Sequence, residues 1–261
     1  STASKLKAGT YSQITGATAD LTGDDAANYT LSATTSADSV TVAKYDLTAT
    51  IADVSETYGA DVSAGSVTLD SIGIDDVAVT ASIVDPAYST ASKLKAGTYS
   101  QITGATADLT GDDAANYTLS ATTSADSVTV DQKALTYTAA ADNKTYDGDT
   151  EATVTLTLSG LIGDETLTET NSSTFDTKNV GTDKTVTVNS ITLGNGDNGG
   201  LATNYSISTG ETTTANITAK ALTYTAAADN KTYDGDTEAT VTLTLSGLIG
   251  DETLTETNSS T

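Results

Sequence analysis

Apolar and polar residues alternate at period two along much of this 261-residue chain, and the polar partner is usually threonine. In Ala152-Thr153-Val154-Thr155-Leu156-Thr157-Leu158 every second residue is apolar. Lys184-Thr185-Val186-Thr187-Val188 and Val77-Ala78-Val79-Thr80 follow the same rule, and Tyr45, Leu47, Ala49 and Ile51 line one face of a further segment. Such alternation predicts half-buried β-strands, with β-branched threonine on the outer face of the pleat. Breaks fall at Gly111-Asp112-Asp113, at Tyr146-Asp147-Gly148-Asp149 and at the glycine-rich run from Gly194 to Gly200. These are turn formers, because glycine accepts positive φ and Asp or Asn side chains bond nearby backbone. Alanine runs such as Ala139–Ala141 are too short to stand as helices. The expectation is an all-β chain.

Self-comparison sets the organisation. Residues 1–42 are identical to residues 89–130, and residues 133–174 are identical to residues 220–261. A weaker likeness links 43–130 (module A, 88 residues) to 131–219 (module B, 89 residues). Lys44 and Lys133 open the modules. Tyr58-Gly59 and Tyr146-Asp147-Gly148 follow, and Asn116-Tyr117 and Asn204-Tyr205 come near the ends. The spacing from Tyr58 to Tyr117 and from Tyr146 to Tyr205 is 59 residues in both. Residues 1–42 then read as the second half of an A-type module and 220–261 as the first half of a B-type module. We expect roughly six or seven short strands per module, in the range of a small Ig-like β-sandwich, with β-grasp-like modules as the alternative architecture. The joint Val130-Asp131-Gln132-Lys133 contains no Gly or Pro, so a stiff, elongated tandem array is expected.

Composition narrows the function classes. The chain has 11 lysines, 35 acidic residues and a net charge of −24, with no His or Cys. Clustered cations, which phosphate binding needs, are missing, so nucleic acid and anionic membrane surfaces are not expected partners. No apolar run approaches the ~18 residues of a membrane span, so no direct membrane insertion is expected. Without His and Cys most nucleophile-and-base arrangements are unavailable, and no catalytic residue is assigned.

Two chemistries remain open. Calcium takes carboxylate and carbonyl oxygens, and three clusters offer them: Asp147 with Asp149, Asn195 with Asp197 in the glycine-rich loop, and Asp112 with Asp113. The competing reading makes each cluster an Asx turn, and no other cofactor is expected. The recurring Tyr58, Tyr117, Tyr146 and Tyr205 could stack on sugars, but core packing with a bonded hydroxyl explains their fixed positions as well.

Lys133-Ala134-Leu135-Thr136, then Ala141-Asp142-Asn143-Lys144-Thr145-Tyr146-Asp147-Gly148, Phe175-Asp176-Thr177-Lys178-Asn179-Val180-Gly181 and Asn204-Tyr205 together resemble YDG-type repeats. Module A, with Tyr58-Gly59, resembles the related MBG repeats. These occur in tandem in large bacterial surface proteins, including filamentous-haemagglutinin-like secreted adhesins. The resemblance implies export to an extracellular, cell-surface location and a structural or adhesive role. It implies no catalytic residue and no ligand. The expected partner is the chain itself: residues 220–261 completed by residues 1–42 of the next copy, head to tail, either covalently or by strand complementation. The alternative is an array of multivalent binding modules for a host or matrix ligand.

Overall fold

Threonine-rich alternation becomes strand wherever a neighbouring segment can face it. The computed structural model describes residues 6–15, 23–29, 34–72 and 76–257. They fall into two units, residues 1–132 and 133–261. The first carries β1 (Gly9–Thr15), β2 (Thr34–Val42), β3 (Tyr45–Leu47), β4 (Ala49–Ile51), β5 (Val54–Thr57), β6 (Val67–Leu69), β7 (Ala81–Ile83), β8 (Gly97–Thr103), β9 (Tyr117–Leu119) and β10 (Thr123–Asp131). The second carries β11 (Lys133–Ala141), β12 (Lys144–Thr145), β13 (Glu151–Ala152), β14 (Val154–Ser159), β15 (Leu167–Phe175), β16 (Gly181–Asn195), β17 (Tyr205–Ile207), β18 (Thr212–Thr218), β19 (Thr223–Ala228) and β20 (Val241–Ser246).

Module B is a two-layer sandwich. One layer has the order β14-β11-β17 and the other β12-β18-β16-β15-β13. The core lies between them. Val154 and Leu156 face Phe175, Val186, Val188, Ala215 and Ile217. The threonines between Val154 and Leu158 point outward, as the period-two pattern requires. Module A repeats the plan with shorter strands: β5-β10-β8-β7 forms one sheet, and β3-β9 and β4-β6 form two smaller ones.

The two modules share pairing, not only pattern. Lys133 pairs in parallel with Tyr205, and Leu135 with Ile207. Tyr45 pairs in parallel with Tyr117, and Leu47 with Leu119. The N–H of Tyr146 donates to the Thr218 carbonyl at 2.8 Å, and that of Tyr58 to the Asp131 carbonyl at 2.8 Å. Both modules also carry a bulge at an aspartate of positive φ, Asp126 (52°) and Asp183 (50°). Aspartate tolerates this left-handed backbone better than most residues, and bulges use it.

Several expectations need correction. Val77–Thr80 is not a strand. Ala78 makes a single bridge to Thr110, because the partner chain turns at once at Gly111, whose φ is +105°. Gly194 and Asn195 belong to strand β16, opposite Thr168 and Leu167, so the turn begins only at Gly196. Among the described residues each module has eight strand segments rather than six or seven, since the opening strand breaks as it passes from one sheet to the other. A β-grasp module needs a helix across its sheet; helical segments among the described residues are three-residue 3-10 turns. None is long and apolar enough to cross a membrane.

The copied segments separate local from tertiary structure. Hairpin β19–β20 has the register of β11–β14: Tyr224 pairs with Leu245 as Tyr137 pairs with Leu158. Hairpin β1–β2 repeats β8–β10, with Gly9 opposite Val42 as Gly97 is opposite Val130. Burial does not repeat. Tyr117 is 2% exposed and its copy Tyr29 is 70% exposed. Leu156 is buried, whereas its copy Leu243 is half-buried. Leu156→Ala is therefore expected to cost about 3 kcal/mol by urea unfolding of module B. Leu243→Ala, in the same local sequence, is expected to cost less than about 1 kcal/mol, because less apolar area is removed from a covered site.

Candidate functional site

Asp147 and Asp149 are brought together with a lysine. Lys144 sits in β12, held by its parallel pairing with Ile217, and the chain then turns at Gly148, whose φ is +89°. The turn points both carboxylates back. The Lys144 ammonium donates to Asp147 Oδ1 at 2.8 Å, to Asp149 Oδ1 at 2.7 Å and to the Glu151 carbonyl at 2.9 Å. It also lies 5.7 Å from the centre of the Phe175 ring, the chain's single phenylalanine. The same carboxylates close the turn by accepting backbone N–H groups, Asp149 from Glu151 at 2.9 Å and Asp147 from Asp149 at 3.3 Å. The copy reproduces this: Lys231 donates to Asp234 at 2.9 Å, to Asp236 at 2.6 Å and to the Glu238 carbonyl at 2.8 Å. The spacing Lys-x-x-Asp-x-Asp-x-Glu thus builds a cage of hard oxygens around its own ammonium, in the manner that a bound cation would be held.

Electrostatics follow from this contact. The bond from Lys144 holds the Asp147 carboxyl below its usual range, with backbone bonding helping and desolvation opposing. For Lys144, burial works to lower the pKa, and the bonds to Asp147 and Asp149 outweigh it, so the net shift is upward.

In the other two clusters one side chain each, Asp113 and Asn195, serves the backbone. Asp113 Oδ2 accepts the Asp76 N–H at 3.1 Å, and Asp76 Oδ2 accepts the Asp112 N–H at 3.3 Å. Asn195 Oδ1 accepts the Ala202 N–H at 2.9 Å. The Asp197 N–H donates to Thr166 Oγ1 at 2.7 Å. The loop packs against Thr166 so tightly that a Cβ on Gly200 would lie 1.9 Å from the Thr166 carbonyl oxygen, which is why glycine stands there. Among the described residues no group of three or more His, Cys, Asp or Glu side chains is arranged to hold a metal ion.

The tyrosines divide. Tyr58, Tyr117 and Tyr205 are each at most 2% exposed. Tyr117 meets Tyr45 edge-on at 6.2 Å between ring centres. The Tyr205 hydroxyl donates to the buried Glu165 carboxylate at 2.6 Å and accepts the Ile162 N–H at 3.0 Å. Tyr146 is half-buried at the edge of the core, and its hydroxyl bonds Glu252, which also accepts from Lys178. That bond raises the Tyr146 pKa and lowers that of Glu252.

Three residues went unread in the sequence: Lys144, Glu165 and Gln101. The lysine's signal was its fixed distance from the two aspartates. Gln101 is fully buried in module A, where its amide donates to Ser127 Oγ at 2.9 Å and to the Ala52 carbonyl at 3.1 Å and accepts from Gly65 N–H. Alternation gives no warning, because Ile102 stands next to it and Gln101 takes the inward position instead.

The fold and these contacts define a class: all-β, sandwich-like modules whose polar residues tie turns and strand ends together. Within it, residues 131–215 form a YDG domain by their match to that family's model. The match contains Lys144, Asp147, Asp149, Glu165 and Tyr205. No curated protein and no solved structure matches the chain.

Two measurements probe these contacts. The Asp147 contribution to stability is complete above pH 3.8, its ordinary value, and is lost as pH falls through the lowered folded value. Lys144→Gln should therefore lower the thermal midpoint of module B at neutral pH and flatten its fall in acid. Chelator should leave the wild-type midpoint unchanged; a drop on chelation would restore calcium as a structural ion. Separately, Tyr205→Phe removes both bonds of the hydroxyl next to a buried carboxylate. It should cost about 1–3 kcal/mol in denaturant unfolding.

Proposed function

We propose that this chain is part of the structural repeat region of an extracellular filament or adhesin stalk on a bacterial cell surface. One observation carries the reading: strand pairing recurs between modules, and the glycine-rich loop of module B does not. The parallel pairs Tyr45 with Tyr117 and Lys133 with Tyr205 stand at equal spacing in modules whose sequences have diverged. The tight Gly196–Gly200 turn of module B has no counterpart in module A. A multivalent binder repeats its ligand loops; a spacer repeats its frame. The surface charge agrees with a solvated, self-repelling spacer. The resemblance of module A to MBG repeats, and of the whole to the repeat regions of large secreted adhesins, supports the same reading. In it, residues 220–261 are the first half of a module that residues 1–42 of a following copy complete.

The test is a binding screen of the full chain against glycan and matrix-protein arrays. Sub-millimolar binding to one defined ligand, lost on replacing a loop of module A or B, would replace this reading with that of a multivalent adhesin. The spacer reading expects no such ligand.

A further inference from the structure

The hairpin β19–β20 shows what its own sequence builds and what it lacks. Its copy β11–β14 is covered by Phe175, Val186, Val188, Ala215 and Ile217, so that Leu156 and Val154 are buried. In β19–β20 the equivalent Leu243 is half-buried, Tyr224 is 66% exposed, and Tyr233, the copy of Tyr146, is 93% exposed. The face is apolar, its strand register is set, and the layer that closes it in module B has no equivalent on it among the described residues.

We propose that a second copy of this chain closes this face, its Tyr29 donating to Glu252 and its Val42 pairing in parallel with Lys231. The inference rests on the stalk reading and gives its joint a register. Two modules supply that register independently. The residue two positions before the module's conserved tyrosine pairs with the strand end: Lys144 with Ile217 in B, Glu56 with Val130 in A. Val42 is the copy of Val130, and Lys231 is the copy of Lys144. Thr232 then faces Ala43, as Thr145 faces Thr218 and Thr57 faces Asp131. Val40 and Val42 would fill the places that Val128 and Val130 occupy in module A, each at most 2% exposed there.

Tyr29 is already shaped for the role. It follows a 3-10 turn, Ala26–Asn28, and is extended at φ −132°. Tyr117 and Tyr205 follow the same turn, at φ −123° and −127°. Tyr205 uses that placement to reach Oε2 of Glu165. Glu252 is the copy of Glu165. Tyr146 and Lys178 both bond its Oε1, which leaves the second carboxylate oxygen to accept the Tyr29 hydroxyl. The joint is thus continuous with a contact already made within this chain. Charge works against it: residues 1–42 carry four acidic residues and two lysines, and residues 220–261 carry seven and two. Apolar closure must therefore drive the docking, and salt must strengthen it by screening the repulsion.

The chain has no cysteine, which makes the register directly testable. Facing positions of paired strands lie within disulfide reach. Thr232→Cys and Ala43→Cys are made in separate full chains, mixed and oxidised. The expected product is a disulfide-linked heterodimer whose yield rises with salt. Tyr29→Ala in the Ala43→Cys chain should cut the association constant about tenfold or more, as loss of a buried bond to a carboxylate does. Thr145→Cys with Thr218→Cys in one chain checks the geometry, since the same register exists there within module B. No linkage in the mixture while that control closes would overturn the proposal. So would a double variant, Thr232→Cys with Ala43→Cys, that closes within single chains in dilute solution. Either failure leaves the stalk reading standing or falling on the ligand screen alone.

Discussion

Each module depends on one long-range pairing. The first strand lies parallel to the strand that opens with the late tyrosine, Tyr45 beside Tyr117 in one module and Lys133 beside Tyr205 in the other, 72 residues apart in both. Parallel neighbours cannot be joined by a tight turn, so everything between them must be arranged before this contact closes. The tyrosine then does what large aliphatic residues do elsewhere. It buries a wide ring beneath the first strand, and in module B its hydroxyl ties down the Ile162–Glu165 turn. The chain has no tryptophan or methionine and a single phenylalanine, so this anchor has few substitutes. The chain has no cysteine to cross-link it, and closure rests on this ring together with the valine pairs Val128–Val130 and Val186–Val188.

Much of this was legible beforehand because period two and repeats are strong signals. The inward set Val154, Leu156, Val186 and Val188 could be read from alternation with threonine, and the equal spacing of Tyr58–Tyr117 and Tyr146–Tyr205 marked equivalent positions. What could not be read is where a polar residue takes an inward place. Gln101 is buried beside Ile102 because Ser127, Ala52 and Gly65 converge on its amide, and that convergence exists only after three segments meet. Val77–Thr80 fails for the opposite reason: its alternation is real, but its partner turns away at Gly111 after a single bridge. Pattern fixes which face a strand would bury; it does not supply the partner.

The carboxylate clusters carry a similar lesson about sites. Residue types alone leave calcium open beside the favoured reading of Asx turns. Geometry separates them where it shows what the side-chain oxygens already do. At Asp147 and Asp149 the oxygens surround the module's own ammonium, and at Asp112, Asp113 and Asn195 they bond backbone N–H groups or flank others that do. A lysine tethered by the chain needs no uptake from solution and costs no ion-binding equilibrium. The cage forms again around Lys231, where the module's Phe175 has no copy within the sequence and the surrounding strands Lys144–Thr145 and Glu151–Ala152 have no counterparts in strand form. It is therefore a product of local sequence.

That contrast orders the forces in the chain. Turn cages and hairpin registers are reproduced wherever their sequence recurs, in β19–β20 as in β11–β14 and in β1–β2 as in β8–β10. Burial of leucine and tyrosine is not reproduced, because it is set by a facing layer that comes from distant sequence. Local bonding thus specifies the shape of each half, and apolar closure specifies which half it accepts. The proposed joint asks an A-type half and a B-type half to fit one another, and closure read through register and a buried tyrosine rather than through a private set of side chains would allow it. Their divergence lies in loops and in the polar interior around Gln101, away from the strand pairs that do the closing.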